Sequence, residues 1–327
     1  MARAIRVQFP GACYHVINRG NYRRNLFDRD GAAAAFVRTL GEAATRFNWR
    51  IHAYVVMRNH FHLALQIAEP NLSEGMKWLQ GTWVLRSNRY RRLIGRPFQS
   101  RFKALLVEPG YSLAQVCHYI HLNPLRAGVV TFKTFSRFAH SSYRAFRSQE
   151  RPSWLDDSTI RHATGIDDSP QGWTRYRHYL GVLSTDPVVQ RELTTQRLSR
   201  GWCLGSPAFR KIAAAELQAR LRSCTGTHFD GVEPNGVREA KEALWSHRLE
   251  EYAATAGIDL SRLPSPKSAP EKVLLATAMR RSTSASNAWL CSRLRMGTPD
   301  ALSVHIRRWQ KAAPHLLQLE KLLGVGT

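Results

Sequence analysis

The sequence predicts an α+β fold, an antiparallel sheet with helices on one face, and three observations lead there. Strand-like and helix-like segments follow one another through the first part of the chain in the order β-α-β-β-α-β-α. One of them, His60 to Ile67, alternates strictly, with Phe61, Leu63, Leu65 and Ile67 on one side and His60, His62, Ala64 and Gln66 on the other. That is the period of a strand with one buried face. Another, beginning near Ser112, places Leu113, Val116, Cys117 and Ile120 at the i, i+3, i+4, i+7 spacing of a helix with an apolar stripe.

Taken in order, Cys13 to Arg19 reads as a strand, Ala-rich Arg29 to Phe47 as a helix, and Arg50 to Met57 as a second strand that turns at Arg58 and Asn59 into His60 to Ile67. A helix follows from Leu72 to Arg92 and is broken by Gly95 to Pro97; a strand then runs from Lys103 to Val107 ahead of the Ser112 helix. This order fits a ferredoxin-like sheet. In the Leu72 helix, Met76, Leu79 and Trp83 can form a core stripe with a solvated basic back. The same segment can instead offer Trp83, Arg86 and Arg89 to bases and phosphates.

From Ser141 to Arg262 the patterning is mainly helical, for example Pro207 to Leu221 with Ala208, Ile212, Ala215 and Leu221 toward a core. Leu263 to Pro270 holds three prolines and reads as a linker. The expected organisation is a domain at 1–150, a helical accessory region at 151–262 and a small unit at 271–327. In that unit, helices at Lys272 to Arg280, Asn287 to Arg295 and Thr298 to Trp309, with Gly297 between the last two, suggest a helix-turn-helix DNA-binding unit. An ordinary helical bundle fits the same pattern.

The 327 residues carry 48 Lys+Arg against 24 Asp+Glu, a formal charge of +24. Arginines number 39 and lysines 9, and a guanidinium grips phosphate through two parallel hydrogen bonds where an ammonium is a point charge. Nucleic acid is the expected partner. Of the excess, +15 lies in residues 1–160, which hold 24 basic and 9 acidic groups. A hydrophobic content of 43% excludes global disorder. No run approaches a membrane span and no signal-peptide core is present, so a soluble, cytoplasmic, nucleoid-associated protein is expected. Cys13, Cys117, Cys203, Cys224 and Cys291 form no CxxC pair and read as reduced thiols.

Two histidines one residue apart on a strand project from the same face and can chelate one cation, and His60 and His62 do so. On the Ser112 helix, Gln115, Tyr119 and Asn123 lie one turn apart on a face distinct from the apolar stripe. From pattern alone, the histidines can also be surface imidazoles, Tyr119 a rim aromatic, and Asn123 the cap of a turn beginning at Pro124.

Together these segments resemble a known family. VVMRNHFHLAL (Val55 to Leu65) and HYIHLNPLRAGVV (His118 to Val130) resemble the two signature blocks of the single-tyrosine HUH transposases, specifically the REP-associated tyrosine transposases. YHVINRG (Tyr14 to Gly20), FQSRFKALLV (Phe98 to Val107) and SSYRAF (Ser141 to Phe146) add to the resemblance, which covers about the first 150 residues. It implies an HUH palm in which Tyr119 is the nucleophile, His60 and His62 are paired metal ligands and Asn123 is the third. Arg58 stands where the family often has a proline.

The resemblance further implies a divalent ion, Mg2+ or Mn2+, and no nucleotide cofactor. The substrate would be single-stranded DNA bearing repetitive palindromic hairpins, cut through a 5′-phosphotyrosine by a monomer or homodimer. Arg23, Arg24, Arg86, Arg89, Arg101 and Arg126 are the candidate DNA contacts. Alternatives are a silent transposase-derived DNA-binding protein, a replication initiator or relaxase of the HUH type, and an RNA-binding module with incidental histidines.

Overall fold

The computed structural model describes residues 7–29, 31–99, 101–148, 150–187, 198, 201–222, 234–310, 318–320 and 322–323. Its centre is a sheet of β1 (Cys13–Arg19), β2 (Trp49–Val56), β3 (His60–Ile67) and β4 (Lys103–Val107), paired antiparallel in the order β2-β3-β1-β4. Crossovers through α1 (Ala32–Arg46) and α2 (Leu72–Arg91) make this the ferredoxin-like arrangement. The α+β class expected from the sequence is the one observed.

A two-residue strand, β5 (Cys203–Leu204), adds to β4 in parallel. It is held where the Glu108 carboxylate accepts hydrogen bonds from the Ser206 amide and hydroxyl, at 2.7 and 2.9 Å. At the opposite edge, Ile51 N–H donates to Trp154 O, Asp156 N–H to Ile51 O and Val56 N–H to His140 O, each at 2.9 Å. Later parts of the chain therefore cover both edges of the sheet.

Helices do not keep to one face. Phe36 of α1 meets Phe61 of β3 at 4.6 Å between ring centroids, and Trp83 of α2 joins the same cluster through Phe27, Phe36 and Phe98. Gly75 allows this close packing, since a Cβ there would lie 2.1 Å from the Trp49 ring. The helix α3 (Tyr111–Arg126) lies on the other face, with Tyr119 against His15 and His62. The expected single buried face of β3 is thus corrected: His62 and Ala64 are as enclosed as Phe61 and Leu63. The alternation reads polarity correctly, but a helix covers the polar side too.

The chain divides into two compact units, residues 1–237 and 238–327. The boundary expected at 150 is not where the structure parts. The helices α5 (Ser158–Thr164) and α6 (Pro170–Thr185) pack on α3, and Phe146 of α4 (Ser142–Phe146) stacks on Trp173 of α6 at 5.2 Å. Along α7 (Pro207–Arg222) the buried residues include Ala213, Ala214 and Leu217, while Ile212 is exposed. An alanine-rich helix offers two adjacent stripes, and the one read from the sequence is displaced by about a residue.

In the second unit, α8 (Pro234–Thr255) contributes Leu249, Tyr252 and Ala253 to one core with α9 (Pro270–Ser282), α10 (Asn287–Leu294) and α11 (Pro299–Trp309). The proline-rich stretch 263–270 accordingly lies inside this unit and ends at Pro270, the first position of α9, where a missing N–H costs nothing. Buried continuously from Lys272 to Met279, α9 is its central helix.

Candidate active site

The turn from β2 to β3 is tight, with Met57 N–H donating to His60 O at 2.8 Å. The Arg58 carbonyl accepts from both Leu26 and Phe27 N–H at 2.9 Å. The turn delivers His60 and His62 to the face opposite Phe61, with ring centroids 5.1 Å apart.

Hydrogen bonds decide which ring nitrogen each histidine offers. His15 of β1 is fully buried, and its Nδ1 lies 2.5 Å from Leu198 O. A carbonyl only accepts, so Nδ1 of His15 carries the proton and its Nε2 is an acceptor. That Nε2 lies 3.0 Å from His62 Nδ1, so His62 must donate from Nδ1, leaving a lone pair on its Nε2. At His60, Nδ1 is 2.7 Å from Asn59 Oδ1. The amide is oriented because Asn59 Nδ2 donates to Arg23 O at 3.1 Å, so His60 likewise donates from Nδ1 and turns Nε2 away from the Asn59 turn. Metal-binding imidazoles are commonly fixed in this way.

Burial holds all three rings neutral. His15 and His60 are each pushed down to about 4, His60 with help from the Arg19 guanidinium directly across the β1/β3 pair. His62 falls well below the ordinary range, through burial first and then its histidine neighbours and Arg19. Neutral imidazole is the ligand form. Asn123 hydrogen-bonds His60, and among the described residues no cluster of three His, Cys, Asp or Glu completes a metal site. Two imidazole nitrogens and an amide oxygen could together hold a divalent ion, and imidazole ligands suit Zn2+ while the amide oxygen suits Mn2+ or Mg2+.

Tyr119 is 3% exposed, its ring 5.6 Å from His62 and 5.7 Å from His15. The helix carrying it is pinned from behind. Nδ1 of His118 and Nδ1 of His121 lie 2.9 and 3.0 Å from the hydroxyl of Tyr176 on α6, and His121 Nε2 is 2.7 Å from Ser142 Oγ. Ser142 Oγ in turn donates to Tyr54 O of β2 at 3.2 Å. The two histidines flanking the tyrosine in HYIH thus serve its placement rather than metal binding.

The candidate DNA contacts separate by location. Arg126 sits 5.4 Å from the Tyr119 ring centre and Arg23 is tied to the Asn59 turn, so both border the site. Arg24 and Arg101 are exposed. Arg86 is gripped by both oxygens of Glu42, at 2.7 and 2.8 Å, on the helix layer of the opposite face, and Arg89 lies on that same helix. Trp83 is core, which settles its two readings in favour of the stripe.

His15, Tyr176 and Leu198 were not singled out from the sequence. For His15 the signal was present, since it pairs with Ala64 and lies diagonal to His62 in the strand register. For Tyr176 and Leu198, which come from distant positions, no local pattern carries one.

The fold thus sets the His-x-His strand of a ferredoxin-like sheet against a helical tyrosine. Residues 9–123 match the family model described as "Transposase IS200 like". The match covers about a third of the chain and contains His60, His62, Tyr119 and Asn123. No curated protein sequence matches significantly. Among solved structures, that of a REP-associated tyrosine transposase bound to a REP hairpin is similar at 18% identity, over 44% of this chain and 84% of that one, with a TM-score of 0.37.

Proposed function

We propose that the protein is a metal-dependent single-stranded DNA endonuclease and strand transferase that acts through a 5′-phosphotyrosine intermediate on DNA with palindromic hairpins. The observation carrying this reading is the convergence of Tyr119 with His62, and of His62 with His60, two histidines whose Nδ1 atoms are both committed to hydrogen bonds, which leaves Nε2 of each as the atom to offer a metal ion.

In the proposed step the Tyr119 oxygen attacks a backbone phosphorus and loses its proton, the O–P bond forms, and the bond to the 3′ oxygen breaks, leaving a free 3′ hydroxyl. The ester energy is retained in the phosphotyrosine, so a 3′ hydroxyl can reverse the step without a nucleotide cofactor. Bound by His60, His62 and Asn123, a divalent ion would supply Lewis-acid polarisation of the phosphate. Arg126 beside Tyr119 and Arg19 beside His60 present positive charge to the incoming phosphodiester. The pinning of α3 through Tyr176 holds the nucleophile in one orientation, which limits reorganisation during attack.

The test is to incubate end-labelled hairpin DNA, with Mn2+ or Mg2+, with the protein and with Tyr119→Phe. A covalent adduct stable on a denaturing gel is expected from the first only. If neither gave an adduct across several palindromic hairpins, the silent, DNA-binding reading would replace this one; an adduct from the Phe variant would move the nucleophile elsewhere.

A further inference from the structure

The helices of the second unit have no part in the chemistry above, and we propose that they bind duplex DNA, with α11 entering the major groove. Two short helices meet there at a tight glycine-containing turn. Leu294 ends α10, Arg295 takes a left-handed conformation at φ 54°, Gly297 another at φ 85°, and α11 begins after Thr298, whose hydroxyl accepts from Ala301 N–H at 3.3 Å. A turn of three or four residues with a glycine is the joint of a helix-turn-helix.

This joint is anchored. Met296 is fully buried, the buried Lys272 of the central helix donates to Arg295 O at 3.4 Å, and Asn287 Nδ2 donates to Ser303 Oγ at 3.1 Å, tying α10 to α11. With Leu302, Ile306 and Trp309 held in the core, α11 presents Asp300, Val304, Arg307 and Arg308 outward, the i, i+4, i+7, i+8 set of a single face.

Charge and shape select the partner. Residues 262–310 hold nine Lys or Arg against two Asp or Glu. Arg280, Arg281, Arg293, Arg295, Arg307 and Arg308 are all exposed, and none forms an ion pair among the described residues. Val304 is the one large apolar side chain exposed on α11, too little for a protein interface, which needs aromatic or aliphatic anchors. A helix about 10–12 Å across fits the roughly 12 Å major groove of B-form DNA. The deep, narrow major groove of A-form RNA does not admit it.

The experiment uses the full-length protein and a dye-labelled duplex of arbitrary sequence, with binding followed by fluorescence anisotropy over a range of salt. Arg307→Ala with Arg308→Ala should weaken duplex binding on the order of tenfold or more, and should lower the slope of log K against log salt by about 2, near 0.9 per lost phosphate contact. Replacing both by lysine should restore much of the slope, and the Ala variant should keep its covalent adduct with hairpin DNA. Tyr119→Phe should lose the adduct and keep duplex binding, so the two proposals fail separately. No duplex binding by the parent, equal binding by the double Ala variant, or equal affinity for an RNA duplex would each overturn the proposal.

Discussion

Phe61 and His62 are neighbours on β3, both buried, and they face two layers of unlike chemistry. On the Phe61 side, Phe27, Phe36, Trp83 and Phe98 form an aromatic cluster in which directional bonding is slight. On the His62 side, His15, His62 and Tyr119 are packed as closely, but ring nitrogens are bonded in a defined sequence that ends on the Leu198 carbonyl. Burial does not distinguish a core from a site here. The distinction is that one layer constrains volume, whereas the other also constrains where protons sit.

Substitutions can test that distinction from either side. The largest effect is expected from Tyr119→Phe, which should lower adduct formation by on the order of 10⁴-fold or more while leaving the urea unfolding midpoint nearly unchanged. Phe61→Ala should do the reverse, costing about 3–5 kcal/mol in equilibrium unfolding with adduct formation retained per folded molecule. Should Tyr119→Phe prove as destabilising as Phe61→Ala, the two layers would not differ in kind.

Mild acid should act chiefly on the polar side. Burial pushes His118 and His121 down to about 3, so below pH 6.5 the unfolded chain takes up protons that the folded chain refuses. The stability these residues allow is complete above pH 6.5 and is lost as pH falls toward 3, at about 1.4 kcal/mol per histidine for each pH unit. Urea titrations at pH 7.5, 6 and 5 should show the fall, and a flat profile would contradict the buried neutral rings.

Smaller changes probe individual bonds. His15→Leu frees His62 to carry its proton on either nitrogen, and Mn2+ affinity read by electron paramagnetic resonance should drop about 10–100-fold; unchanged affinity would show that the proton order does not matter. Tyr176→Phe leaves His118 and His121 without their shared partner, and should cost about 1–3 kcal/mol. Its effect on cleavage should appear in the maximal rate more than in hairpin affinity, since Arg23 and Arg126, which border the site, are untouched.

Local features of this arrangement were legible in the sequence because they are periodic. The alternation of His60 to Ile67 and the stripe of α3 place His60, His62, Tyr119 and Asn123 on the correct elements. What lay beyond reach depends on contacts across many residues. His15 is joined to Leu198 across 183 positions and His118 to Tyr176 across 58, and no pattern within a strand or helix encodes such partners. The unit boundary was misplaced for a related reason: the prolines at 264, 266 and 270 mark a break in helix, but the core formed by Leu249 and Tyr252 with α9 spans that break.

The covered edges of the sheet set an order in time. A strand edge displays unpaired N–H and C=O groups that invite pairing with another chain, and here the residues that cover them, near 140 and 154–156 on one side and 202–204 on the other, come after the strands they protect. During synthesis the four central strands are complete once residue 107 has emerged, almost a hundred residues before the β4 edge can be closed. Early chain termination in that interval would leave a sheet with an open edge, prone to aggregate, so the segment after residue 150 also protects the nascent fold.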